Sequence, residues 1–219
     1  TIGAEIADAF QCPHVLTVHT ELPSDAPLEV VLAELSMIVA VNPSAQRSVM
    51  LRASVPAEMV RLIPSGVDVP DMPVLPPLRD TETIPVVGTA SPLEPGRGVL
   101  YLLMAAELIL AAGHDVEFLI AGSGPEEDVL RRAAANLDIA NRVTFVTQGV
   151  SFTKIIESLD VFVMPNIDGG VGSLLMEALA IGKPAVATRV GGFTDFLVEG
   201  EHALLCEPGN HTLLADRIE

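Results

Sequence analysis

Two rhythms of apolar and polar residues run along the chain. Short, mostly β-branched apolar runs predict strands, and longer runs with apolar residues three and four apart predict helices. Up to residue 68 the strands are expected at 14–20 (HVLTVHT), 37–42 (MIVAVN) and 60–66 (VRLIPSG), with helices near 28–35 and 44–54. Residues 69–83 hold Pro70, Pro73, Pro76 and Pro77, which remove backbone donors and disfavour helix before them, so this stretch reads as a linker. From 84 to 219 the rhythm strengthens. Strands are expected at 83–90, 115–122, 142–148, 160–166, 184–190 and 202–208. Helices are expected at 98–112, 126–137, 153–159, 173–181, 193–199 and 211–218. Most of the strand runs are apolar throughout, as in strands covered on both faces. Alternation of this kind means a doubly wound α/β domain on a parallel sheet. The later part has enough strands for one; the earlier part has too few for a domain of its own.

In an open parallel sheet, ligands collect at the carboxyl ends of the strands. Three glycine-rich loops fall there: TASPLEPGRG (89–98), AGSGPEE (121–127) and NIDGGVG (166–172). Glycine lets a backbone approach a ligand, and a following helix offers free N–H groups to an anion. The second loop also reads as an ordinary strand-to-helix turn, with Glu126, Glu127 and Asp128 favouring the helix start. It lacks the third glycine of the dinucleotide fingerprint. Arg97, just before a helix start, suits a phosphate; an exposed pair with Glu94 is the alternative. Glu177 falls in the second turn of a helix starting near Ser173, in a largely apolar run with Leu174, Ala180 and Ile181 as neighbours. A carboxylate buried there without partners would be strongly unfavourable. A cleft filled by ligand hydroxyls would resolve this, and so would backbone N–H groups. Side chains lean toward a helix N-terminus, here toward the glycine loop. His19 ends the first expected strand, where a cleft would lie, although a lone histidine is more often structural.

Charge narrows the partners. With 29 acidic and 12 basic residues, net −17, the chain should repel nucleic acid and anionic membranes. Lys154 and Lys183 are the only lysines, so an anionic ligand depends on a few arginines and on backbone donors. Cys12 and Cys206 lie far apart, which is neither a disulfide framework nor a metal pattern; a reduced, cytoplasmic setting is expected. The remaining histidines, His14, His114, His202 and His211, show no ligand spacing, and no fixed metal is expected. TIGAEIADAF at the start lacks the basic and apolar regions of a signal peptide, and the absence of an initial Met fits a piece of something longer.

Several segments, in order, resemble one family. LMEALAIGKPAVATRVGG (175–192) is similar to the E-A-x-A-x-G-x-P-V-V-A-T-x-x-G-G segment of the group 1 (family 4) retaining glycosyltransferases. RLIPSGVD resembles their I-P-N-G-V-D hinge, EPGRG their P-x-K-G loop, and FLIAGSGPEEDVL their G-x-G-P strand and loop. SLDVFVMPN resembles their A-D-V-x-V-x-P-S strand, and VLTVHT their histidine-bearing strand. The resemblance implies a GT-B fold of two Rossmann-like domains. Residues 1–68 would be the remainder of the N-terminal, acceptor-side domain, 69–83 the linker, and 84–219 the C-terminal donor-binding domain. It implies transfer of a sugar, with retention, from a nucleotide-diphosphate sugar to a hydroxyl of a sugar, lipid-linked sugar or small molecule, with no fixed cofactor.

By the same resemblance, Glu177 is the second acid of an E-x7-E motif and binds the ribose hydroxyls. Gly172, Ser173 and Leu174 offer N–H groups to donor sugar and diphosphate. Arg97 and Gly98 meet the diphosphate, Gly122 and Gly124 flank the nucleotide, and His19 faces the reacting sugar. The chain departs from the pattern at three points. Gly169 stands where the family has its first acid, with Asp168 adjacent as a substitute. Thr89 replaces the usual arginine. The loop before Arg97 is two residues longer than usual. The chain is also about half the family's length, so a missing N-terminal half or a homo-oligomer is expected to cover exposed apolar surface. Rival readings are a non-catalytic or degenerate nucleotide-sugar-binding module and, more distantly, a nucleotide-sugar epimerase.

Overall fold

The computed structural model describes residues 2–22, 35–51, 55–69, 83–147, 149, 151–169 and 172–219. The expected helix near 28–35, apart from Leu35, which is the first residue of a strand, and most of the proline-rich linker lie outside them. The chain divides into two compact units. One is Thr1–Ser65 with Gly169–Val171 and Gly191–Phe196; the other is Gly66–Asp168, Gly172–Val190 and Leu197–Glu219.

The first unit contains α1 (Ile2–Phe10), β1 (His14–Val18), β2 (Leu35–Ala40), α2 (Pro43–Met50) and β3 (Val60–Leu62). The strands form a parallel sheet in the order β1-β2-β3. Its core is small and mostly β-branched, with Val18, Ile38, Ala40, Val49, Val55 and Val60 buried. The sequence pattern did not predict α1. Asn42 starts α2 by accepting the Ala45 N–H at 2.7 Å, and Pro43 follows where a missing donor costs nothing.

The second unit alternates strand and helix as the pattern requires. Its elements are β4 (Val86–Ala90), α3 (Val99–Ala111), β5 (Glu117–Ala121), α4 (Glu127–Asn136), β6 (Val143–Val146), α5 (Phe152–Ser158), β7 (Val161–Met164), α6 (Ser173–Ala180), β8 (Ala185–Thr188), β9 (Leu204–Cys206) and α7 (His211–Ile218). All neighbours pair in parallel, in the order β6-β5-β4-β7-β8-β9. The order reverses between β4 and β7, and at such a switch point the loops diverge to leave a crevice. Val87, Phe118, Ile120, Val163 and Val186 of the sheet bury themselves against Leu102, Leu103 and Ile109 of α3, Leu130 of α4 and Leu214 of α7. Lys183, 4% exposed, locks the α6–β8 connection to the end of α5, donating from Nζ to the carbonyls of Glu157 at 2.7 Å and Leu159 at 2.6 Å.

One expected helix is absent. Residues 193–199 do not form an α-helix; the chain makes a single 3-10 turn at Gly191–Phe193 and then further turns. Glycines bracket this short run, and Asp195 within it is drawn away to α2 by the Ser44 N–H at 2.9 Å.

Candidate donor site

The loops at the switch point are stitched together through backbone. The loop after β4 binds the loop after β5, with Ser91 donating to the Ala121 carbonyl and Leu93 to the Ser123 carbonyl, both at 2.9 Å. Gly122 has φ +148°, and a Cβ there would collide with the Ser91 carbonyl; Gly124 sits in the same way against Leu93. On the other side, Ile167 donates to the Gly96 carbonyl at 2.8 Å, and a Cβ on Gly98 would collide with the Pro165 carbonyl. Gly98, in the left-handed region, begins α3 with no side-chain cap. These glycines therefore let loop meet loop closely, a need visible only in three dimensions.

Arg97 and Asp168 belong to this stitched group. Arg97 is about one-third exposed and stands 3.9 Å from Glu94, a long and loose pair. The carboxylate of Asp168 lies directly over Gly96. Beneath them, three polar side chains are buried at the ends of β4 and β7: Thr89 at 0%, Ser91 at 5% and Asn166 at 3% exposure. Thr89 Oγ1, Ser91 Oγ and Asn166 Oδ1 have no partner among the described residues. Sequence reading did not single out Ser91 or Asn166; the available signal was a polar residue directly following an apolar strand.

Glu177 and Ser173 form a second group. The buried side of α6 is Leu175 and Ala178, so Glu177 does not share the apolar stripe as expected and is half-buried at its border. Ser173, Glu177 and Ile181, four apart, line a cavity of about 790 Å³ together with Thr153 and Glu157 of α5 and Gly66–Val69. The Thr153 hydroxyl donates to Glu177 Oε2 at 3.2 Å. Asp68, Glu157 and Glu177 supply carboxylates, Thr153 and Ser173 supply hydroxyls, and no described lining residue is a cation. Such walls accept hydrogen bonds from hydroxyls far better than they hold phosphates. Thr153 and Glu157 had escaped notice, although they stand four apart on one helical face. Gly172, in the left-handed region, precedes α6 without a side-chain cap, and the first turn beyond it, with Ser173 and half-buried Leu174, carries N–H groups that have no intrahelical partner.

A smaller cavity of about 200 Å³ opens at the ends of β5 and β6, lined by Gly122, Ser123, Val146, Thr147, Phe152 and Ile155 among others. No described lining residue is ionisable. Neither cavity is lined by Arg97 or Asp168. His19 is exposed just past the end of β1, in the first unit. Among the described residues no cluster of His, Cys, Asp or Glu is arranged to hold a metal.

The family model for glycosyl transferases group 1 matches residues 77–219, well over half of the chain. The chain belongs to that family. Among the group 1 glycosyltransferases it is 36% identical over 146 residues to a phosphatidyl-myo-inositol mannosyltransferase of Mycolicibacterium smegmatis, covering 64% of this chain and 36% of that protein. It is 28% identical over 137 residues to a 2-deoxystreptamine glucosyltransferase of Streptomyces kanamyceticus, covering 62% and 35%. The chain thus spans well under half the length of these relatives. The structure of Anabaena Alr3699/HepE in complex with UDP and glucose superposes with a TM-score of 0.83 at 22% identity, over 98% of this chain and 63% of that one. Staphylococcus aureus TarM, in a complex containing UDP, superposes with a TM-score of 0.80 at 16% identity, over 99% and 46%. The shared architecture is GT-B, with the second unit as its C-terminal Rossmann-like domain. Among the described residues no helix is long and apolar enough to cross a membrane.

Proposed function

We propose that this glycosyltransferase-family chain binds a nucleotide-diphosphate sugar in its second unit, and that the protein to which it belongs transfers the sugar, with retention, to an acceptor hydroxyl. The observation that carries the reading is a division of chemistry between the α5–α6 cavity and the loops at the switch point. One region has carboxylates and hydroxyls without cations, and the loops at the switch point have Arg97 beside the α3 start. The first suits a ribose, with Glu177 as acceptor for its hydroxyls. The second suits a diphosphate, with Arg97 and helix N–H groups stabilising the charge that develops on the leaving group. The uncharged cavity by Gly122 suits a base, with Gly124 further along the same loop. Gly172, Ser173 and Leu174 offer N–H groups to the donor sugar and diphosphate, Asp168 acts on the donor sugar, and His19 serves the reacting centre. UDP in the HepE and TarM complexes supports a nucleotide donor.

A panel of nucleotide diphosphates and their sugars tests this by thermal shift, since a ligand that binds only the native state raises its stability. The expected outcome is a shift with one nucleotide and its sugar, lost in Glu177→Gln. No shift with any member would reject the reading. The rival reading, a non-catalytic binding module, draws on Gly169, which offers no side chain where the resemblance expects an acid. Binding without release of nucleotide diphosphate, even with acceptors present, would favour it.

A further inference from the structure

The turn after β8 is held by contacts that the nucleotide reading does not use. Gly169, Gly191–Phe196 and α2 all belong to the first compact unit. The Asp195 carboxylate, only 10% exposed, accepts the Ser44 N–H at 2.9 Å and Arg47 Nη2 at 3.3 Å. Arg47 Nη2 also donates to Ser44 Oγ at 2.7 Å. The helix start is thereby completed by two acceptors: Asn42 takes the Ala45 N–H, and Asp195 takes the Ser44 N–H from 151 residues further along the chain. An anion is the preferred partner there, because the helix start and a guanidinium both face it.

Four residues before Asp195, backbone lies on backbone. A Cβ on Gly169 would stand 3.2 Å from Gly191 Cα, and one on Gly191, whose φ is +37°, would stand 2.9 Å from Gly169 Cα. Nothing flexible separates the two glycines, so a displacement of one must displace the other. Thr194 stiffens the span between Gly191 and Asp195, its Oγ1 donating to the Gly191 carbonyl at 2.9 Å.

We propose that Asp195 is a positioning residue: by clamping residues 191–196 onto α2, it fixes the chain path at Gly169 and so sets Asp168 beside it in the segment after β7. The proposal rests on the nucleotide reading only in assigning that segment to the donor. It also gives Gly169 a physical reason: a side chain there would lift the clamped turn.

Hydrogen–deuterium exchange on the whole chain, without nucleotide, tests it in Asp195→Ala and Asp195→Asn. Loss of a cap and its buried acceptor should speed exchange of amides in 166–175 by about tenfold in Asp195→Ala. Asp195→Asn, which keeps an acceptor oxygen and is the milder change to the fold, should show a smaller acceleration in the same peptide. Amides of β4 and β5 should keep their wild-type rates. Acceleration confined to 42–48 and 191–196 would reduce Asp195 to a helix cap and overturn the proposal. A uniform acceleration through the sheet would overturn it too. Because no nucleotide is present, failure here is separable from failure of the donor reading, which the thermal-shift panel decides.

Discussion

Glu177 and Arg97 divide the candidate site between them, and single substitutions should separate their roles. Among the described residues Arg97 makes only a long, partly exposed pair with Glu94, so removing it should cost little stability. Arg97→Ala should instead weaken a nucleotide diphosphate by about 2 kcal/mol, roughly thirtyfold, and leave the parent nucleoside unchanged; calorimetry with both ligands checks this. Cys206 offers a different kind of test. Burial first, then the Glu207 carboxylate beside it, raise its thiol from 9.0 to about 11. Between those values the unfolded chain loses the proton while the folded chain keeps it, so the folded state binds more protons and stability falls as pH rises. Urea unfolding at pH 8 and pH 11 should show a loss of order 2 kcal/mol that is absent in Cys206→Ala. At pH 8 the exposed Cys12 should react with a thiol reagent well before Cys206, which is 1% exposed.

At the scale of elements, α6 joins a structural side to a chemical one. Leu175 is fully buried on the structural side. Leu175→Ala should cost about 2–5 kcal/mol in urea unfolding while the nucleotide-sugar affinity proposed for the Ser173 and Glu177 side changes little. The nine strands among the described residues were legible in sequence because apolar β-branched runs stand out; most were read one to three residues too long at an end, β3 was read four too long, and β2 begins two residues before its expected start. The elements misread were those whose context is tertiary. The helix α1 is nine residues long with Ala7 buried, too short for its pattern to stand out against an acidic, alanine-rich background. The run at 193–199 had helical spacing, but Asp195 serves α2 instead. In the site, Glu177 could be found because an acid in an apolar run is anomalous. Thr153, Glu157 and Asn166 look ordinary in the sequence; only the packing of α5 on α6 and the end of β7 brings them into view.

The whole molecule is a strongly acidic body whose positive charge is sparse, at net −17. Self-repulsion of this size destabilises the compact state, so raising salt from about 0.05 to 0.5 M should raise the thermal midpoint by a few degrees. A melting series in sodium chloride checks this, and an unchanged midpoint would mean that the acids are already paired. The same scarcity has a practical side through Lys183. Its amine is buried and engaged by two carbonyls, so of the two lysines only Lys154, exposed on α5, is open to amine-directed chemistry. Lys154 immediately follows Thr153, on the cavity wall. A fluorophore coupled at Lys154 would turn the chain into its own reporter, reading out occupancy beside Glu177 without an engineered cysteine.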